Sequence, residues 1–113
     1  MTIENISQTF KALSDPIRLK IIFLLLERES LCVCEIVDTL CLSQSTVSRH
    51  LAYLKNSGIV KSWREGIWMH YSLCPENLQN IHLENLKTNL LETTEIASQL
   101  QERNNKNPSC SIS

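Results

Sequence analysis

Leu42-Ser43-Gln44-Ser45-Thr46-Val47-Ser48-Arg49-His50-Leu51-Ala52-Tyr53-Leu54 is the stretch whose reading decides the fold. Ser43 is a strong helix N-cap, because its hydroxyl can accept from a first-turn amide that has no partner inside the helix. Val47, Leu51 and Leu54 recur at helical spacing as an inward stripe, and Gly58 stands where a left-handed residue ends such a helix. Just upstream, Glu35 to Leu40 reads as a short helix broken by Cys41-Leu42-Ser43. The pattern is helix, turn, helix. Its second helix turns Gln44, Ser45, Ser48 and Arg49 away from the apolar stripe.

Those outward side chains suit a DNA groove. Glutamine pairs with adenine and arginine with guanine through two hydrogen bonds, and hydroxyls such as those of Ser45, Thr46 and Ser48 suit phosphate or base edges. A polar helix face alone is usually just solvated, so the neighbours decide. From Ile59 to Trp63 and from Ile67 to Leu73, β-branched and aromatic residues flank Arg64-Glu65-Gly66, a hairpin with glycine for the turn: a wing tipped by Arg64, with Lys61 nearby. The net charge is only −1, yet residues 44–66 hold four basic side chains against one acidic. Residues 1–43 hold four against six, and residues 67–113 three against five. The expected contacts to duplex DNA are therefore Gln44, Ser45, Thr46, Ser48, Arg49, His50, Lys61 and Arg64. For His50 a phosphate contact is favoured over the alternative, a hydrogen-bonded histidine at the core edge.

Working outward, Ile3, Ile6, Phe10 and Leu13 mark a first helix that stops at Ser14-Asp15-Pro16, where an N-cap precedes a proline suited to a first turn. Ile17, Ile21, Leu24 and Leu25 mark a second, core helix ending near Glu27-Arg28-Glu29. Pro75 opens a long helical pattern through Leu78, Ile81, Leu86, Leu90, Leu91 and Ile96 to Leu100. The expected fold is mainly α with a β-hairpin wing, a winged helix-turn-helix. One domain over residues 1–103 would carry DNA binding and dimerisation, and 104–113 reads as a disordered tail. Pairing the first and last helices with those of a twin would bury their surplus apolar stripes, so a homodimer is expected.

No stretch reads as a signal peptide or a membrane span, which points to the cytoplasm and away from a membrane. In that reducing setting the five cysteines are packing residues, metal ligands or redox groups rather than structural disulfides. Cys32 and Cys34 are one residue apart at the front of the Glu35 helix. Side chains at i and i+2 share a side in extended backbone but point nearly oppositely in a helix, so one ion held by both requires a locally unwound helix start. Such capture would distort the helix that supports the recognition helix. A helix N-terminus favours the thiolate, and thiolates select soft ions. A catalytic thiol couple is disfavoured: the motif is C-x-C rather than C-x-x-C, and no phosphate loop or acid–base pair accompanies it.

Four ordered segments, LSDPIRLKII, LCVCEI, LSQSTVSRHLAYLKNSGIV and REGIWMHYSL, together resemble the ArsR/SmtB family of metal-responsive bacterial repressors across residues 8–74. The resemblance implies a homodimer on inverted-repeat operator DNA, needing no cofactor to bind and releasing a resistance or efflux operon when an inducer arrives. It is greatest to the arsenical-sensing branch, which implies As(III) or Sb(III) as inducer with Cys32 and Cys34 as ligands. That branch carries a third cysteine where this chain has Val37. Cys110 in the tail is the first choice for the third thiolate and Cys41 the second, while Cys74 is expected to pack. The cadmium-sensing branch adds N-terminal cysteines, and none precedes Cys32. A last-helix zinc site is disfavoured, since His82 stands there alone. Two alternatives keep the fold: a thiol-based redox or reactive-sulfur sensor, and a cadmium- or lead-responsive repressor.

Overall fold

In the computed structural model the described residues are 2–78. The long helical pattern beyond Leu78, the tail, His82 and Cys110 lie outside them.

Helix α1 (Ile3–Ala12) starts where the Thr2 hydroxyl accepts from the amide of Asn5 at 3.1 Å. Helix α2 (Pro16–Glu27) opens on Asp15, whose carboxylate accepts from the amides of Ile17 at 2.8 Å and Arg18 at 3.2 Å, with Pro16 in the first turn. Five consecutive residues, Ile21 to Leu25, are buried, so α2 is enclosed on all sides and forms the spine of the core. Ile36 of α3 (Val33–Leu40), Val47, Leu51 and Leu54 of α4 (Gln44–Asn56), and Ile59 pack around it.

Helix α3 begins two residues earlier than the expected Glu35, because Cys32 rather than a residue inside the helix is the N-cap. The Glu35 carboxylate reaches back to accept from the Cys32 amide at 2.9 Å. Between α3 and α4, Cys41 takes the left-handed conformation at φ 55, and Ser43 caps α4 by accepting from Thr46 N at 3.2 Å. Gly58 ends α4 at φ 78 as its position predicts, and Asn77 Nδ2 donates to its carbonyl at 2.7 Å.

The wing comprises β2 (Val60–Glu65) and β3 (Trp68–Leu73), paired antiparallel with Glu65 opposite Trp68. Gly66 at φ 67 is the one turn residue with positive φ, as a two-residue type II′ loop demands. A further strand, β1 (Leu31–Cys32), was not expected. It pairs antiparallel with β3, giving sheet order β1-β3-β2 with Leu31 opposite Tyr71 and Cys32 opposite His70. Two residues are too short to show an alternating pattern, so only the pairing reveals this strand. Pro75 opens a single 3-10 turn (Pro75–Asn77). Among the described residues no helix is long and apolar enough to cross a membrane.

Candidate DNA interface and thiol pair

Helix α4 is two-faced. Val47, His50, Leu51 and Leu54 are buried, whereas Gln44, Ser45, Ser48 and Arg49 are exposed on the opposite side. Thr46 is half-buried, and its hydroxyl accepts from Ser43 Oγ at 2.9 Å. Ser43 Oγ is also 3.3 Å from Ser45 Oγ, so a chain of hydroxyls crowns the positive end of the helix. The expected readers Gln44, Ser45, Ser48 and Arg49 thus share one open surface, with Thr46 at its edge.

His50 does not join them. It is 7% exposed, and its Nδ1 accepts from Arg18 Nη1 at 3.3 Å. Arginine only donates, so Nδ1 carries the lone pair and Nε2 the proton. The phosphate contact expected for His50 is therefore corrected to the core-edge alternative. Arg18 also stacks over Tyr53, with Cζ 4.0 Å from the ring centroid, and donates to the α1 carbonyls of Ala12 at 2.8 Å and Lys11 at 3.3 Å. One guanidinium thereby joins the end of α1 to the recognition helix. Burial holds the His50 pKa below its ordinary value; Asp15 works against this, and Arg18 and Arg49 reinforce it. For Asp15 burial works upward, but the amides of Arg18 and Ile17 outweigh it and hold its pKa down.

The wing cations part company. Lys61 and Arg64 are both exposed but three residues apart on β2, so their side chains leave opposite faces of the sheet. Arg64 is beside the turn, whereas Lys61 lines an open groove of about 800 Å³ with Glu27, Glu29 and Trp63.

At the front of α3 the sulfurs of Cys32 and Cys34 are joined as a disulfide, with Cα atoms 5.4 Å apart. Cys32 is extended at φ −86, ψ 163, and Cys34 is in the first helical turn. The expected need for an unwound helix start is thus corrected: the strand-to-helix junction already brings both sulfurs together, with α3 intact. Cys41 is exposed at the other end of α3, seven residues on, or about 10 Å along the axis. Cys74 packs in the core as a buried thiol, and that burial raises its pKa. Among the described residues no group of three His, Cys, Asp or Glu side chains stands assembled to hold an ion.

The sequence profile of the arsR family of bacterial regulatory proteins matches residues 15–62, the span from the α2 cap into the wing. The chain is 38% identical to the cadmium resistance transcriptional regulatory protein CadC of Listeria innocua over 78% of its own length and 72% of that protein's. The chain belongs to the arsR family. It is 47% identical to the arsenical resistance operon repressor of Escherichia coli, over 60% of this chain and 58% of that protein, so it spans little more than half of that relative. Among solved structures, the transcriptional repressor PagR of Bacillus anthracis superposes with a TM-score of 0.63 at 34% identity, over 73% of this chain and 94% of that one. This arsR-family member is accordingly a winged-helix, DNA-binding transcriptional regulator and not an enzyme.

Proposed function

We propose that this regulator acts in the cytoplasm as a homodimer, laying α4 of each protomer into inverted-repeat operator half-sites about one DNA turn apart. There it represses a resistance or efflux operon until Cys32 and Cys34 thiolates capture arsenite or antimonite. The observation that carries the DNA half is the exposed Gln44, Ser45, Ser48 and Arg49 face on a helix braced behind by Val47, His50, Leu51 and Leu54. Convergence of two sulfurs at the α3 junction supports the inducer half, as does the arsenical relative. Operator DNA titrated with reduced protein under a phosphine reductant tests both: arsenite should release the complex, and Cys34→Ser should abolish release. An unchanged response in Cys34→Ser sinks the site. Serine replacements at Cys110 and then Cys41 in the same assay identify the third thiolate.

The disulfide between Cys32 and Cys34 favours a second reading, release by oxidation. Release on oxidant alone, with arsenite inert, would replace the metalloid reading with it.

A further inference from the structure

Within a protomer, helix α1 is lightly packed. Only Thr9 and Ala12 of its ten residues are buried, so polar contacts carry much of its attachment to the core. Arg18 of α2 supplies them in two directions. Its Nε and Nη2 donate to the α1 carbonyls of Ala12 at 2.8 Å and Lys11 at 3.3 Å, while Nη1 donates to His50 Nδ1 of α4 at 3.3 Å.

The guanidinium donors lie in one fixed plane. That plane covers the ring of Tyr53, which stands three residues beyond His50 on the same face of α4. A swing of α4 against α1 cannot keep all four contacts. One turn back along α1, Gln8 bridges the same two helices: its Nε2 donates to Ser57 Oγ at 3.5 Å, and that hydroxyl donates to the Tyr53 carbonyl at 2.9 Å.

Resting on the reading that α1 pairs two protomers and each α4 reads one half-site, we infer that Arg18 is a positioning residue of DNA recognition. By locking α4 to the pairing helix it sets the separation and tilt of the two reading helices, and so the half-site spacing that the dimer accepts. Arg18 approaches α4 from the His50 side, opposite Gln44, Ser45, Ser48 and Arg49. A protomer without the lock therefore keeps its reading face and loses the fixed relation to its twin. One base pair added between half-sites moves the second by about 3.4 Å along the duplex and about 35° around it. A dimer of fixed geometry discriminates steeply among such spacers, and a loosened one does so weakly.

The probes are the inverted repeat that the parent protein selects from a random duplex pool, that repeat cut to one arm, and repeats with base pairs added to or removed from the spacer. Arg18→Gln shortens the donor. His50→Leu removes the acceptor and protects the fold, because leucine extends the apolar stripe of Val47, Leu51 and Leu54. Fluorescence anisotropy at fixed salt should find both variants, still dimeric by sedimentation, about 10-fold weaker on the full repeat and within about twofold of the parent on the single arm. Their dependence on spacer length should flatten. His50→Asn, which offers an amide oxygen where Nδ1 stands, should restore the steep profile. Equal losses on the single arm and the full repeat, or an unchanged spacer profile in His50→Leu, overturn the positioning role and leave the paired reading helices standing. A parent that binds one arm as tightly as the full repeat overturns the paired reading itself, and this inference with it.

Discussion

Arg18 Nη1 donates to His50 Nδ1 across 3.3 Å, so the helix that carries the polar reading face is held from behind by a cation on α2. Removing that cation takes the donor from His50 Nδ1 and from the Ala12 carbonyl, while the Lys11 carbonyl keeps those of Ser14, and uncovers Tyr53. Arg18→Ala should cost about 2–3 kcal/mol of stability, from charged hydrogen bonds and the lost stacking. Arg18→Lys should recover less than half, because a point charge cannot reach three acceptors and lie flat on a ring. Urea midpoints at fixed protein concentration measure both; equal stability of Arg18→Lys and the parent would show that charge alone matters.

The same contact fixes a pH dependence. Burial above all keeps the folded His50 pKa below its ordinary value of 6.5, so between the two values the unfolded chain binds a proton that the folded chain refuses. Stability from this group is complete above pH 6.5 and falls as the pH drops through the folded pKa. Protonated His50 also cannot accept from Arg18. Asp15, likewise depressed, adds a second loss at lower pH, beginning below its ordinary 3.8. His50→Gln keeps an acceptor without a titrating group, so its urea midpoint should be flatter than the parent's between about pH 7 and pH 5. Identical slopes would mean that His50 does not set the upper window.

How much of this was legible depended on the length of each signal. Helices α1, α2 and α4 followed from stripes of three or more apolar residues with caps at Asp15, Ser43 and Gly58, α3 from the break at Cys41-Leu42-Ser43, and the hairpin from β-branched and aromatic runs flanking Gly66. His50 was legible too: three residues after Val47 and four before Leu54, it falls on the inward stripe, and its polarity alone suggested DNA. Strand β1 was not, because Leu31 and Cys32 acquire their role only by pairing with Tyr71 and His70 on a distant strand. The convergence of Cys32 and Cys34 depends on that same strand, so sequence spacing suggested an unwound helix where a junction stands. Left-handed Cys41 was hidden for another reason: glycine or asparagine would have signalled it, and cysteine does not.

The two wing cations should separate in the salt dependence of operator binding. Arg64 is exposed beside the turn, and an arginine there that neutralises one phosphate contributes about one unit to the slope of log affinity against log salt. Lys61 leaves the other face of β2, in a groove with Glu27 and Glu29. Arg64→Ala should lower the slope by about one and Lys61→Ala should leave it unchanged. Fluorescence anisotropy across a salt series decides, and the reverse ranking would move the DNA path to the groove side of the wing.

Helix α1 carries the last test. Ile3 is 78% exposed, Ile6 39% and Phe10 57%, a stripe that nothing among the described residues covers, while Ala12 behind it is fully buried. A twin chain is the occupant that the proposed symmetry supplies, and a symmetric interface counts each side chain twice. Burying one phenylalanine contributes about 1.5–3 kcal/mol, so Phe10→Glu removes about 3–6 kcal/mol from association and should weaken the dimer at least 100-fold. Because Phe10 is already exposed, the fold of each protomer should survive, with unchanged helical circular dichroism. Sedimentation equilibrium should then find monomer where the parent is dimeric, and operator affinity should fall with it, since one α4 reads one half-site. A Phe10→Glu protein of unchanged mass and operator affinity would show that α1 does not form the interface.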